Sequence, residues 1–201
     1  MGLRIKKARV AYLKLVETQR RQKLAAQKKY SDACLPEINK ATRLEVAISN
    51  FKGTPWGFPA KVRALEKWVE RCTTTRETEA AYRACRRGLR GHVEVVLKRW
   101  EEIAVIEAEA ASNVEEALEV FHNSPDPDKL RWCMDRGDRD FNWDNLSRTK
   151  ALRKVIEYAE CAYDLENFRY YGASDLFRYS EGLEKMCDEK LRKLRLDENK
   201  Q

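Results

Sequence analysis

Apolar residues recur at spacings of three and four along most of the chain, which is the period of an amphipathic α-helix. The longest run alternates these spacings without a break and has one polar member: Leu89, Val93, Val96, Trp100, Ile103, Glu107, Ala110, Val114, Ala117 and Phe121. Such a run is typical of a heptad seam, and it predicts a central helix of about 45 residues, from 75 to 122. Thr74 and Glu77 fit a capping box at its start, and Gly88 and Gly91 predict a kink in its first third.

The other segments also predict helices. Residues 3–34 contain no Gly or Pro, and this first helix is expected to end near Leu35 because Pro36 disfavours helical backbone in the residue before it. Two further helices are expected on either side of a loop over residues 53–59. Beyond residue 125 the pattern predicts a short helix over 126–137, a helix that Asp144 caps and a last helix that Ser174 caps.

The fold class that follows is all-α: an elongated helical bundle built on the long central helix, with antiparallel helical neighbours. The expected organisation is a basic N-terminal helix or arm, residues 1–36, and a single helical domain, residues 37–201. Only eight Gly and five Pro are present among 201 residues, which excludes an all-β fold with a turn every 8–12 residues. A chain of this length buries a core without disulfides or metals.

The sequence also bears on location. No run of about 18 uncharged apolar residues is present, so no transmembrane segment is expected, and no apolar h-region of a secretory signal follows the basic start. The six cysteines lie far apart and are expected to be reduced, in an intracellular compartment. The basic, acid-poor N-terminus also resembles a mitochondrial transit segment, although it is rich in Lys and poor in Ser. Because the numbering begins at Met1, the alternative location is mitochondrial with no cleaved presequence.

Charge is strongly segregated along the chain, whose formal net charge is +7. Residues 1–30 contain ten Lys or Arg and one acid, whereas residues 101–128 contain nine acids and no Lys or Arg. Opposite charges on separate helices attract and select register and partner. The acidic stretch is therefore predicted to dock a basic helix, either the chain's own arm or a neighbouring subunit, through Glu101, Glu107, Glu109, Glu115, Glu116 and Glu119. Since Glu107 interrupts the apolar seam, an Arg or Lys partner is expected for it.

The basic residues are candidates for binding a protein partner or a polyanion. The predicted set in the N-terminal helix is Arg4, Lys6, Lys7, Arg9, Lys14, Arg20, Arg21, Lys23, Lys28 and Lys29. A second predicted stripe, at helical spacing, is Arg83, Arg86, Arg87 and Arg90. Lys and Arg release counterions from phosphates, and Tyr12 or Tyr30 would stack on bases, so nucleic acid and the surface of an anionic membrane are alternatives. An ordinary solvated helix face is the remaining interpretation.

No catalytic or metal site is predicted. One loop resembles the oxygen-ligand spacing of a calcium-binding EF-hand: Asp138, Asp140, Asn142 and Asp144. The resemblance fails where Gly is needed, since Trp143 stands there, and where a bidentate Glu should close the site, since Thr149 stands there. His92 and His122 are the only histidines, and no Cys-x-x-Cys pair accompanies them to bind zinc. We expect no enzyme activity and no cofactor.

These features lead to two hypotheses of function. The first is a non-catalytic helical scaffold or accessory subunit that binds other proteins within a larger multi-subunit assembly. The alternative is a nucleic-acid-binding protein of a ribonucleoprotein or viral particle, which would use the basic N-terminal helix and the arginine stripe. No helix-turn-helix, zinc-finger or aromatic sheet motif supports the alternative.

Overall fold

The computed structural model describes residues 2–125, 146–173 and 181–199, and every regular element in these ranges is helical. The predicted all-α class is therefore confirmed. The α-helices are α1 Gly2–Lys40, α2 Leu44–Gly53, α3 Pro59–Arg71, α4 Thr75–Cys85, α5 Val93–Ala110, α6 Val114–Asn123, α7 Leu146–Tyr158, α8 Ala162–Asn167 and α9 Glu181–Glu198. A 3-10 turn over Arg90–His92 precedes α5, and a π-helical turn over Phe168–Gly172 follows α8.

Several predicted features lie outside the described residues. They are the short helix over 126–137, the calcium-like loop of Asp138, Asp140 and Asn142, the caps Asp144 and Ser174, and Cys133. The five described cysteines are thiols rather than disulfides. Burial raises the pKa of the Cys85 thiol to about 11, so it stays protonated near neutral pH.

The chain divides into two compact units. Unit 1 comprises Met1–Cys72 and Arg87–His92, and unit 2 comprises Thr73–Arg86 and Val93–Gln201. Position 36, where the sequence predicted that a basic arm ends, falls inside α1.

Unit 1 is built around α3, which packs against both α1 and α2. Its interior includes Phe51 of α2 and Leu65 and Trp68 of α3. The Phe51 ring lies edge-on to that of Trp68, with ring centroids 5.3 Å apart. The C-terminal part of α1 belongs to this interior, because Ser31 and Ile38 are fully buried. The rest of α1 extends N-terminally from this anchored end.

The predicted end of the first helix near Leu35 is wrong. α1 continues through Pro36 to Lys40, although proline removes one backbone hydrogen bond and crowds the preceding turn. Ser31 and Ile38 are buried on either side of Pro36. Tertiary packing of the helix thus outweighs the local preference of the proline.

Unit 2 packs α5 against α4 and α7, and α6 against α7. Its main apolar cluster includes Phe121, Leu152, Ile156, Leu165 and Leu183, each at most 2% exposed. The predicted burial of Trp100 and Ile103 is confirmed. The Trp100 ring lies 5.5 Å from that of Tyr82, and its Nε1 donates a hydrogen bond to the Asn123 carbonyl oxygen at 2.8 Å.

The predicted central helix of about 45 residues is not formed, because α4, α5 and α6 replace it. The first break contains Gly88, one of the two glycines at which a kink was expected. A Cβ at Gly88 would lie only 2.7 Å from the Trp56 ring, so this contact between the turn and Trp56 requires a residue without a side chain.

The second break, after Ala110, was not predicted. Asn113 caps α6 by accepting a hydrogen bond from the Glu116 N–H at 2.8 Å. Glu116 in turn accepts hydrogen bonds from the N–H and the hydroxyl of Ser112, at 2.8 and 2.9 Å. These bonds satisfy the polar groups of a new helix start, and the predicted seam is interrupted there: Ala110 is exposed, whereas Ala108 and Ala111 are buried.

The burial of α5 gives a matched test on a single helix. Ile103 is 2% exposed and Ile106 is 61% exposed. We expect Ile103→Ala to lower the free energy of unfolding by about 2–5 kcal/mol, because it removes buried methyl groups and leaves a cavity. Ile106→Ala should change it by less than about 0.5 kcal/mol. Urea denaturation followed by circular dichroism measures both, and equal losses would contradict the assigned face of α5.

Candidate functional site

The longest stretch of exposed residues in the described chain is residues 12–30 of α1, called here the basic segment. Every residue in it is exposed except Gln27, which is half-buried. Six of the predicted basic residues lie in it together with one acid, Glu17: Lys14, Arg20, Arg21, Lys23, Lys28 and Lys29. The other four, Arg4, Lys6, Lys7 and Arg9, belong to the first turns of α1, where side chains are not described.

Large apolar side chains are also exposed on the basic segment. They are 41–65% exposed and comprise Tyr12, Leu13, Leu15, Val16, Leu24 and Tyr30. Single exposed apolar residues are ordinary on a protein surface, but large patches of them mark interaction sites. Six such side chains within nineteen consecutive residues make the basic segment the candidate binding region of the described chain.

The basic segment is helical for local reasons. It contains no Gly or Pro and is rich in Ala, Leu, Lys, Arg and Gln, which are strong helix formers. Glu17 and Arg21 form an ion pair at 3.0 Å with the i, i+4 spacing that supports a helix. The buried C-terminal part of α1 supplies the anchor from which this helix continues.

Glu107, the polar member of the predicted seam, has a different partner from the one expected. Its Oε1 accepts a hydrogen bond from the backbone N–H of Thr75, the first residue of α4, at 3.1 Å. The N-terminus of a helix carries a partial positive charge and unsatisfied N–H groups, so it stabilises a carboxylate. A helix start therefore takes the role that the sequence assigned to an Arg or Lys.

Other acids of the predicted docking surface also have internal partners. Glu101 accepts two hydrogen bonds from Ser147, in the first turn of α7, one from the N–H and one from the hydroxyl, each at 2.7 Å. Glu109 forms an ion pair with Lys150. Glu116 accepts the hydrogen bonds from Ser112 at the start of α6, and these bonds lower its pKa. Much of the acidic stretch thus acts within unit 2.

Glu115 and Glu119 are the remaining members of that predicted set, and both are exposed. The arginine stripe does not continue as one helix face, because α4 ends at Cys85 and only Arg83 of the four lies within it. Arg83 forms an ion pair with Glu79 at 2.6 Å, while Arg86 and Arg87 are exposed in the turn after α4.

One buried cation, Lys61, was not predicted from the sequence. It is 2% exposed, and its Nζ donates hydrogen bonds to the carbonyl oxygens of Phe51 and, at 2.9 Å, of Thr54. The ammonium also lies 3.9 Å from the centroid of the Phe51 ring and 4.4 Å from that of Trp56. Burial lowers the pKa of Lys61. This lysine fixes the C-terminal end of α2, and no sequence pattern distinguishes it from a surface lysine.

Comparisons with protein-family models, curated proteins and solved structures found no match to this chain. Within the described ranges, no helix has both the length and the apolar composition that crossing a bilayer requires. The same ranges contain no group of three or more His, Cys, Asp or Glu residues arranged to hold a metal ion.

The carboxylate caps of unit 2 give a testable consequence. Replacing Glu107 or Glu101 with Ala should lower the free energy of unfolding by about 1–2 kcal/mol each, because a helix start loses its acceptor. Glu107→Gln keeps an acceptor oxygen and should cost less than Glu107→Ala. Glu115→Ala, an exposed acid of the same stretch, should change it by less than about 0.5 kcal/mol. Chemical denaturation measures these differences, and an effect of Glu115→Ala as large as that of Glu107→Ala would contradict the capping role.

Proposed function

We propose that this protein is a non-catalytic helical scaffold or accessory subunit that binds other proteins within a larger multi-subunit assembly. The observation that carries the proposal is the basic segment, which presents six large apolar side chains to solvent on a helix whose described buried residues, such as Ser31 and Ile38, lie toward its C-terminal end. The proposed contact surface lies on one side of the basic segment.

The energetics of such a helix support a partner. Most helical stability in proteins comes from packing one face against a neighbour, and isolated helices are marginal in water. Burial of exposed apolar side chains at an interface contributes favourably in proportion to the area removed from water. A protein surface with its own apolar side chains supplies that burial.

The distribution of acids within the chain supports a partner on another molecule. Three acids of the stretch accept backbone hydrogen bonds at the starts of helices: Glu101, Glu107 and Glu116. A fourth, Glu109, forms an ion pair with Lys150. Glu115 and Glu119 are the exposed acids of the predicted docking surface that have no described bond. This predicted docking surface therefore offers two such acids against six basic residues, and we propose that the main complementary charge lies on a different protein.

Nucleic-acid binding is the second candidate. The observation that favours it is the exposure of six Lys and Arg residues beside Tyr12 and Tyr30 in the basic segment. Such residues contact phosphates and stack on bases. A component of a ribonucleoprotein or a viral particle would use the same helix in this way.

Native purification separates the two candidates. We expect the tagged full-length chain, purified from its own cells, to co-migrate with a defined set of proteins before and after nuclease treatment, as identified by mass spectrometry. The reversal Arg20→Glu, Arg21→Glu, Lys23→Glu should weaken the association, because it reverses charge in the basic segment. Loss of all co-migrating proteins after nuclease would contradict the scaffold proposal and favour the second candidate.

A further inference from the structure

We propose that one face of the basic segment docks an acidic amphipathic helix of a partner protein. This inference rests on the proposed function and deepens it by naming the chemistry of the partner. The docking face comprises Leu13, Val16, Arg20, Leu24 and Gln27, which recur at spacings of three and four. Residues at these spacings line one side of a helix.

The position of the docking face on α1 supports this assignment. Its spacing continues C-terminally through Ser31, Cys34 and Ile38, of which Ser31 and Ile38 are fully buried and Cys34 is half-buried. The side of α1 that packs inside unit 1 therefore extends outward as the docking face. A helix from a partner would continue the same kind of packing.

The partner's charge follows from residues beside and within the docking face. Lys14, Arg21 and Lys28 are spaced seven residues apart, so they form a basic stripe along one edge, about a quarter turn from the docking face. One acid, Glu17, lies on this edge and pairs with Arg21, which leaves the stripe with a net positive charge. Residues that flank an apolar seam in this way pair with charges on the facing helix and select the partner. Arg20 lies within the docking face itself, so an approaching helix must supply a carboxylate when it desolvates this arginine.

Aliphatic side chains favour a helix over nucleic acid on this face. Leu13, Val16 and Leu24 are between 41% and 56% exposed, and phosphates offer them no apolar surface. The opposite side of the basic segment holds Lys29 and one exposed leucine, Leu15. A polyanion held by charge alone would use Lys29 as well as the basic stripe and would be insensitive to the leucines.

A second copy of this chain fits the docking face less well than a different protein does. Two of the three exposed acids of α5 are already paired with bases of the same chain, Glu102 with Arg99 at 3.3 Å and Glu109 with Lys150. Glu101 and Glu107 bind backbone N–H groups. Glu115 and Glu119 are exposed on α6, but the apolar residues of that helix, Ala117, Val120 and Phe121, are buried within unit 2. We therefore expect the acidic amphipathic helix to belong to a different protein.

The matched leucines give the sharpest test. Leu13 is 56% exposed and Leu15 is 57% exposed, but they lie on opposite sides of α1. The probe is a synthetic peptide of about four heptads with Leu at the a and d positions and Glu at the e and g positions. Fluorescence anisotropy measures its binding to the full-length chain. Leu13→Ser should weaken binding by about tenfold or more, and Leu15→Ser by less than about twofold.

A charge swap tests the basic stripe. The variant Lys14→Glu, Arg21→Glu, Lys28→Glu should no longer bind the peptide with Glu at e and g, called here the Glu peptide. It should instead bind the same peptide with Lys at e and g. The control Lys29→Glu, Arg43→Glu, Lys52→Glu makes the same change in net charge at exposed residues away from the docking face. It should bind the Glu peptide as the unmodified chain does. Circular dichroism verifies that each variant remains helical.

Three results would overturn the inference. They are equal effects of Leu13→Ser and Leu15→Ser, tight binding of a short RNA that both charge variants weaken alike, and self-association in sedimentation that Leu13→Ser abolishes. The proposed function is tested separately, by native purification. If Leu13→Ser leaves all co-purifying proteins in place, this docking face is wrong and the scaffold proposal stands. If the unmodified chain retains no protein partner, the scaffold proposal itself fails.

Discussion

Unit 2 depends on carboxylates that accept hydrogen bonds from the starts of helices. Each helix begins with N–H groups that have no partner within the helix, and the same end carries a partial positive charge. Glu107 accepts such a hydrogen bond at the start of α4, thirty-two residues away, and Glu101 accepts one at the start of α7, forty-six residues away. Glu116 accepts one locally, at the start of α6. The two long-range bonds tie α5 to the helices on which it packs. They also explain how one short stretch holds so many acids without bases between them.

The same bonds determine what the rest of the chain has available for binding. Acids that satisfy helix starts inside unit 2 are not available to neutralise the basic segment of α1. That segment consequently sets two requirements for a partner: apolar contact with exposed Leu, Val and Tyr side chains, and acids for a row of positive charge in which Arg21 also pairs with Glu17 of the same helix. An acidic amphipathic helix from another protein meets both requirements at once, which is why the proposed function and the docking face follow from the same observations.

Periodicity predicted the helices better than their ends. The burial of Val96, Trp100 and Ile103 and the capping box at Thr74 are confirmed because they depend on local spacing. The break at Asn113 was also encoded locally, in the Ser-Asn pair followed by Glu116, but the apolar spacing across it masked the signal. The partner of Glu107 was not predictable, because contacts between residues thirty-two positions apart leave no trace in local pattern.

The central claim is that the docking face is covered by a helix in the native assembly, and hydroxyl-radical footprinting tests it most directly. The oxidation rate of each side chain is compared between the isolated chain and the assembly, because the rate follows exposure to solvent. The account predicts that Leu13 and Leu24 become protected in the assembly while Leu15, equally exposed in the isolated chain, keeps its rate. Unchanged rates at Leu13 and Leu24, or equal protection of Leu15, would contradict it.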